Sequence, residues 1–338
     1  MLKQFSNYSW LWRVLAGVSV SFFLLQFLYT GIDFSVLKNY SLRENSHTLL
    51  LAAFLGLVGF AFQAIKWSYF FNLNISYSKR FNVFFNSVII GHVLNTFLPF
   101  KAGEIAKPLH LSKTLSLNKV YVFSTCVADR TFDISILFVL ALVYGLKGKL
   151  LLHIHQFINF IASFKLILLA LVLLISIILL LLFFKRQFES LRRKITQHFL
   201  QLKENFKVLT FSSISLIILF TILFWSSTIF SNRFILLSSN LPESLTTWTV
   251  AVYMTVFAVF AYLIPSAPAS LGTLNMAIVL ALQYRANEIS LNISDAIYQQ
   301  ILLCSILQYV ISIVPDIVAM LWLLATSKDI KVYRNDTE

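Results

Sequence analysis

Long apolar stretches, separated by short polar ones, dominate the sequence. Six of them reach roughly the 20 apolar residues that a helix needs to cross a bilayer. They are Trp10–Thr30, Leu49–Phe71, Val120–Tyr144, Leu166–Phe184, Phe211–Ser231 and Ile297–Thr326. Each stretch is continuously apolar instead of alternating, which favours helices over the strands of an outer-membrane barrel. The pattern therefore predicts an all-α, polytopic transmembrane helix bundle with about six full spans.

Two further apolar segments are interrupted by proline and glycine. Each is followed by a second, shorter helical pattern. The pairs are Phe81–Leu98 with Glu104–Leu117, broken near Pro99, and Trp248–Leu263 with Leu271–Tyr284, broken near Pro265. Non-helical backbone at membrane depth is tolerated only where protein or water covers it. We therefore expect two re-entrant helical hairpins that enter the membrane, break and return. The alternative is that these segments cross the membrane fully as kinked helices, which would give seven or eight spans and no inverted repeat.

The order of these elements is the same in both halves of the chain. Each half reads as span, span, broken hairpin, span, and the two halves begin on opposite sides of the membrane. This order predicts an inverted repeat, in which paired interrupted helices mark a transporter's binding site. We expect one integral membrane domain, with a first repeat at 1–146, a connecting span and basic cytoplasmic belt at 147–210, the rest of the second repeat at 211–326 and a cytoplasmic tail at 327–338.

The charge balance is basic, and its distribution points to a membrane surface instead of a nucleic acid. Lys and Arg number 27 against 14 Asp and Glu, for a formal net charge of +13. The basic residues concentrate on one side of the spans, as the positive-inside rule expects. Lys185–Leu209, with seven basic and two acidic residues, resembles a helix lying on an anionic membrane surface. We expect a multi-pass protein of the cell's inner (cytoplasmic) membrane with both termini in the cytoplasm.

Three ionisable residues lie inside the predicted span Val120–Tyr144, where charges are costly and usually functional. Asp129 and Asp133 share one helix face, and Arg130 lies beside it. In one interpretation they form a headgroup site, where Arg130 holds phosphate and Asp133 takes an amine or relays protons. In the other they form a buried structural ion pair. The residues alone leave both open.

A second group of charges follows the first break. Lys101, Glu104 and Lys107 stand beside Gly103 at the start of a helix, where backbone N–H groups favour phosphate. An ordinary cytoplasmic loop of mixed charge is the alternative. Asp316, directly after a proline, is either a second protonatable group or a carboxylate near the last helix's cytoplasmic end.

Two other polar positions have simpler interpretations. One apolar stretch ends with Lys66, Trp67 and Tyr69, which are expected to form an interfacial anchor. His92 is expected to be a packing residue whose ring is hydrogen-bonded, instead of a ligand.

The two breaks and the polar helix resemble the transmembrane region of lysylphosphatidylglycerol synthases and related stand-alone, flippase-like membrane proteins. The matching motifs are Asn95…Leu98-Pro99-x-x-x-Gly103-Glu104-x-x-Lys107, Asp129-Arg130-x-x-Asp133 and Pro268-Ala269-Ser270-Leu271-Gly272-x-x-Asn275. The resemblance covers essentially the whole chain, and no segment resembles the soluble aminoacyl-transferring domain of the full synthases. It departs from the family where Lys107 replaces arginine, Asp129 replaces the more usual glutamate, Ala269 and Ser270 replace a glycine pair, and Asn275 replaces glutamate.

The resemblance implies movement of a lipid across the bilayer, and the glutamate replaced by Asn275 implies a different headgroup preference. The candidate substrate-binding residues are Asn95, Lys101, Glu104, Lys107, Asp129, Arg130, Asp133, Pro268, Gly272 and Asn275, with Asp133 and Asp316 as possible proton relays. We expect a lipid flippase or transporter that moves a phospholipid or lipid-linked headgroup across the inner membrane.

Two alternatives stay open. An integral-membrane enzyme would use Glu104, Asp129 and Asp133 as acid/base or metal-binding groups to transfer a group onto a lipid carrier. A non-catalytic protein would assemble with an enzyme of envelope lipid or glycan synthesis. The sequence contains no Walker A, H-E-x-x-H or G-x-S-x-G motif, so we expect no catalytic residues, no cofactor and no metal.

Overall fold

The computed structural model describes residues 18–19, 21–30, 40–98, 101–147, 209–263 and 268–335, and the side chains of these except at 145–147, 263, 268 and 326–335. The predicted span Leu166–Phe184 and nearly all of the basic belt Lys185–Leu209 lie outside this part of the chain. So do Pro99 and Pro265 themselves.

The described residues are helical and contain no strand, which confirms the all-α prediction. The helices are α1 (21–29), α2 (Leu42–Ser68), α3 (Tyr77–Phe97), α4 (Ala102–Thr114), α5 (Lys119–Lys147), α6 (Phe211–Ser238), α7 (Trp248–Leu263), α8 (Thr273–Glu288) and α9 (Asp295–Asn335), with 3₁₀ turns at Glu243–Leu245 and Pro268–Ser270. The last helix continues past Thr326, where the sequence pattern predicted its end.

Three of the described helices are long and apolar enough to cross a membrane. They are α2, α6 and the Asp295–Ala325 part of α9. A helix of 27 residues, such as α2, is about 40 Å long at 1.5 Å per residue, which exceeds the hydrocarbon thickness of about 30 Å. The chain is therefore a multi-pass membrane protein.

Both predicted interruptions are present as breaks in the helical backbone. After α3, Leu98 is extended, and Lys101 has a left-handed φ of 51°. After α7, φ is 54° at Ala269, 56° at Ser270 and 81° at Gly272. Glycine adopts this region freely, whereas alanine and serine adopt it at a cost. The second break thus has a backbone conformation that favours glycine at Ala269 and Ser270, the two positions where the resemblance predicts a glycine pair.

The long helices α2 and α6 pack antiparallel. Early in α2, the Ala52 carbonyl accepts a hydrogen bond from the Ser231 hydroxyl, late in α6, at 2.9 Å. At the other end, Tyr69, next to the C-terminus of α2, stacks on Phe220, early in α6, with ring centroids 6.0 Å apart. The second span of one half therefore runs opposite to the second span of the other.

The other contacts between helices also match between the two halves of the chain. Helix α3 packs on α4 as α7 packs on α8, and α2 packs on α3 as α6 packs on α7. Across the halves, α3 packs against α9 as α7 packs against α5. Exchanging α2 with α6, α3 with α7, α4 with α8 and α5 with α9 leaves this set of contacts unchanged.

Two apolar clusters hold the helices together, one in each half. The first centres on Phe60, Trp67 and Phe84 and takes Ile217 and Ala319 from the second half. The second centres on the C-terminal part of α6 with α7, α8 and α9, and takes residues from α1 and α2 in return. In lipid, helices associate mainly through van der Waals packing. The exchange of residues therefore joins the two halves into one packed unit.

Candidate functional site

A buried ion network lies between α2, α4 and α5. The Lys66 ammonium is 2.8 Å from Asp129 Oδ1 and 2.6 Å from Asp133 Oδ1. All three side chains are at most 3% exposed. The two aspartates do share one face of α5, as their spacing predicted, and one lysine from another helix binds both.

The interpretation of Lys66 and Trp67 as an interfacial anchor is wrong. Both residues are completely buried. The Trp67 indole N–H donates to the Thr125 hydroxyl at 3.1 Å. Two carboxylates on α5 attract the Lys66 ammonium inward, whereas an unpaired lysine near a helix end would extend to the interface.

Lys107 closes the network on the side of α4. Its ammonium is 3.7 Å from Asp129 Oδ2 and 4.3 Å from the centre of the Trp67 ring. Its side chain is 7% exposed. Lys107 therefore neutralises a buried carboxylate in this arrangement and is not free for a phosphate.

Arg130 and Glu104 form the accessible edge of the same network. Their side chains are 44% and 40% exposed, and Arg130 Nη2 is 2.6 Å from Glu104 Oε1. Arg130 Nη1 also lies 3.7 Å from Asp133 Oδ2, which connects this pair to the buried charges. Arg130 is about 16 Å along α5 from Lys119, at 1.5 Å per residue, so it lies well inside the helix.

The first break positions Glu104 through Asn95. The side-chain oxygen of Asn95 accepts the Gly103 N–H at 2.9 Å, and its amide nitrogen is 3.5 Å from Glu104 Oε1. A Cβ on Gly103 would lie 1.8 Å from the Gly91 carbonyl oxygen, so α3 and α4 approach each other as closely as two glycines allow.

The residues that flank the two breaks lie against each other. Helix α3 packs on the Pro268–Ser270 turn. From the other side, the Lys101 ammonium donates to the Tyr262 carbonyl near the end of α7 and is 5.6 Å from the Tyr262 ring centre. The structure thus brings together the two regions that the sequence marked as interrupted.

Asn275 is tied into the second break and is 2% exposed. Its side-chain oxygen accepts the Gly272 N–H at 3.2 Å, and its amide donates to the Tyr29 hydroxyl at 3.1 Å and the Ser305 carbonyl at 3.0 Å. With its hydrogen bonds made inside the protein, Asn275 stabilises the turn at Gly272. Pro268 begins that turn.

Asp316 joins α9 to the end of α3. Its Oδ2 accepts the Thr96 hydroxyl at 2.5 Å. Its Oδ1 is buried and has no hydrogen-bond partner among the described residues. One residue earlier, Pro315 packs against Gly56, where a Cβ would lie 2.6 Å from the proline ring. The carboxylate is therefore held near the first break.

His92 is a packing residue, as predicted. Its Nε2 is 2.7 Å from Gln63 Oε1, and its ring stacks on Phe60 with centroids 4.1 Å apart.

In the part of the chain that the structure describes, no group of three His, Cys, Asp or Glu side chains is arranged to hold a metal ion.

Lys66 is the site residue that sequence reasoning missed. Charge balance at membrane depth is the signal that would have found it. Asp129, Arg130 and Asp133 leave one negative charge uncompensated on α5, and a second cation was required close by. Lys66, one helical turn after the polar Gln63, was the available lysine on a neighbouring apolar helix.

Comparison with known proteins agrees with these motifs. A family model described as the lysylphosphatidylglycerol synthase TM region matches residues 14–286. The match includes both breaks and the charged helix α5. No curated protein and no solved structure has a significant match to this chain. The chain belongs to the family of the lysylphosphatidylglycerol synthase transmembrane region.

Proposed function

We propose that this protein is a lipid flippase or transporter, which moves a phospholipid or lipid-linked headgroup across the bacterial inner membrane. Membership of the family places it in lipid-related processes. The observation that carries the proposal is the half-exposed ion pair between Arg130 on α5 and Glu104 on α4, which lies beside a buried ion network. Charges at this depth face a polar cavity or a ligand, since exposure to lipid tails is too costly.

The lengths of the broken helices support re-entrant hairpins. Three of the four helices beside the breaks are short: α4 has 13 residues, and α7 and α8 have 16 each. At 1.5 Å per residue they measure about 20 and 24 Å, less than the hydrocarbon thickness of about 30 Å, whereas α3, with 21 residues, measures about 32 Å. We infer that both hairpins turn back inside the membrane, with α3 tilted or extending to its surface, and with six full spans around them.

The antiparallel packing of α2 and α6, and the matched contacts of the other helices, support an inverted repeat. In transporters built this way, one half moves against the other around a fixed site near the midplane. Here the headgroup would occupy a polar groove beside the two breaks, while the acyl chains stay in lipid.

The polar residues divide into two roles in this proposal. Arg130 binds the phosphate bidentately, and Lys101 adds a second positive charge at the break. Lys66, Asp129 and Lys107 hold Arg130 and Glu104 in place without touching the lipid. The burial of both α5 aspartates in ion pairs favours the structural interpretation for them, and it leaves the enzymatic alternative without exposed carboxylates on that helix.

Flip of acyl-labelled phospholipid in proteoliposomes tests the proposal. We expect transfer well above that of protein-free vesicles, and a loss of at least about tenfold with Arg130→Ala, because a bidentate, charge-assisted contact is removed. The matched control is Arg285→Ala, which removes an arginine paired with Glu288 at 2.7 Å on α8. Transfer no faster than in empty vesicles, or equal loss in both variants, would contradict the proposal.

Asp316 is the better placed of the two predicted proton relays. Both oxygens of Asp133 lie within ion-pair distance of a cation, Oδ1 of Lys66 and Oδ2 of Arg130. The buried Asp316 Oδ1, beside the first break, has no hydrogen-bond partner within the described part of the chain. Among the described residues, Tyr262 of α7 is a titratable side chain within electrostatic range of Asp316. We infer that proton binding at Asp316 alters its bond to Thr96 and thereby the position of α3.

We expect Asp316→Asn to remove about 90% of any change in flip rate caused by an imposed pH gradient, because the amide carries no exchangeable charge. Asp295→Asn, at the exposed start of the same helix, is the control and should respond like the unaltered protein. A full response in the Asp316 variant would exclude this carboxylate as the coupling group.

A further inference from the structure

We propose that the end of α6 and the start of α7 form an accessory site for the phosphodiester group of a phospholipid. The site consists of Arg233, Trp248, Phe230 and Leu237, and we call it the Arg233 patch. Arg233 binds the phosphate oxygens, and the acyl chains lie along the apolar side chains of α6. The patch shares no residue with the proposed transport site, so this inference does not depend on the proposed function.

Arg233 lies at the depth where lipid phosphates are found. Helix α6 has 28 residues and is about 42 Å long, about 12 Å more than the hydrocarbon thickness of about 30 Å. An upright helix of this length, centred in the bilayer, extends about 6 Å beyond the hydrocarbon at each end. Arg233 precedes the helix end at Ser238 by about 7.5 Å, which places it at the boundary between hydrocarbon and headgroups.

The face of α6 that carries Arg233 is apolar and open to lipid. Phe230 and Leu237, at spacings of i−3 and i+4 from Arg233, are half-exposed. The same face continues along the helix with the exposed side chains of Leu219 and Ile222. Residues at these spacings share one side of a helix. Acyl chains that pack along this face bring their phosphate to the guanidinium.

Trp248, the first residue of α7, orients the guanidinium from one side. The centre of its ring is 5.7 Å from Arg233 Cζ, and the Phe230 ring meets the same indole at 4.8 Å. The indole is itself half-exposed, and tryptophan is favoured at membrane interfaces. A guanidinium stacked on an aromatic ring is already ordered, so less entropy is lost when it binds a phosphate.

The charge of Arg233 lacks a close counter-ion. Within the described part of the chain, no carboxylate lies within ion-pair distance of it, whereas Arg130 and Arg285 pair with glutamates at 2.6 and 2.7 Å. Glu243, in the turn before α7, attracts it only from a longer distance. The Nη1 atom is buried without a hydrogen-bond partner among the described residues. We expect a phosphodiester to bind the opposite, two-donor edge of Nε and Nη2, where its charge and its two free oxygens complement the guanidinium.

The test is lipid binding to the purified, delipidated full chain, measured by native mass spectrometry with phosphatidylglycerol as the probe. We expect Arg233→Gln to weaken the binding of one lipid molecule by about tenfold, because a bidentate, charge-assisted contact is lost. Arg233→Lys should recover part of that binding, since lysine keeps the charge but not the two-donor edge.

Arg43→Gln is the matched control. Arg43 is exposed at the start of α2, on the same side of the membrane as the end of α6, because the two helices are antiparallel. This variant should bind phosphatidylglycerol like the unaltered protein. Diacylglycerol with the same acyl chains lacks the phosphate and should bind equally to the Arg233→Gln and Arg43→Gln variants. Glycerol phosphate, which lacks the acyl chains, should not displace the lipid.

Equal binding of phosphatidylglycerol by Arg233→Gln and Arg43→Gln would overturn the inference. Displacement of the lipid by an equal concentration of glycerol phosphate would also overturn it, because the patch would then be a site for free phosphate. A change of oligomeric state in Arg233→Gln would identify the patch as a contact with a second copy instead. If Arg233→Gln does not fold, weaker binding by Arg233→Lys than by Arg43→Lys is the expected result, and equal binding contradicts the site.

Discussion

Replacing Lys66 with methionine is expected to lower the free energy of unfolding by about 3–5 kcal/mol, because it leaves buried charges without their main partner. Lys66 binds both Asp129 and Asp133, and it is completely buried. Methionine keeps most of the side-chain volume, so the loss reflects charge and not a cavity. Thermal unfolding of the detergent-solubilised protein measures the effect.

Two further variants separate this cause from a general loss of packing. Lys79→Met removes a lysine from the exposed start of α3 and should change stability little. The triple variant Lys66→Met, Asp129→Asn, Asp133→Asn removes the unpaired charges and should recover part of the lost stability. If Lys66→Met unfolds at the same temperature as Lys79→Met, the network has no role in stability.

Gly103→Ala is expected to separate α3 from α4 and to reduce lipid flip about tenfold or more, with a stability loss of about 1–3 kcal/mol. The new Cβ would lie 1.8 Å from the Gly91 carbonyl oxygen and 2.7 Å from the Asn95 side-chain oxygen. Backbone at this distance cannot be displaced by a side-chain rotation. The shift would move Glu104, the next residue, away from Arg130.

Gly59→Ala is the matched control for this prediction. Its Cβ would lie 3.1 Å from the Ser227 hydroxyl, which can rotate away, and alanine favours the helix more than glycine does. Flip and unfolding temperature are measured for both variants in the same preparation. Normal flip in Gly103→Ala would show that the close contact of α3 and α4 does not position the site.

The two substitutions probe different parts of one arrangement. Lys66 holds the charges on α5, and Gly103 sets how closely the first hairpin approaches them. We expect Arg130 and Glu104 to keep their contact only when both conditions hold. This explains why an exposed ion pair, which is usually weak on a protein surface, is held in a defined geometry here.

Much of the helical pattern was predictable because a helix that crosses the hydrocarbon of a bilayer needs a continuous apolar stretch of about 20 residues. Continuous apolar runs predicted α2, α6 and the apolar part of α9, and the break after α7 was placed correctly at Leu263. The ends of the other helices in the structure differ by several residues from the ends that hydropathy predicted. Polar residues at the interface continue a helix that hydropathy alone would end. The motifs around both breaks also identified the family.

The candidate site was only partly predictable. Arg130 and Glu104 were recognised as candidates, and the structure places them together at an accessible position. Lys107 and Asn275 were recognised too, but burial and internal bonds favour a supporting role for each. Spacing along one helix shows which residues share a face, yet it does not show which other helix covers that face.

The sequence by itself determined that this is an all-α membrane protein with two interrupted helix pairs and ionisable groups within its long helices. Each of these features depends on residues near one another in the chain, where length, hydropathy and proline or glycine set the local structure. Only the tertiary structure decided that Lys66 binds Asp129 and Asp133, and that Arg130 stays open beside Glu104. Those pairings join helices far apart in sequence, and packing between the helices selects which charges are buried.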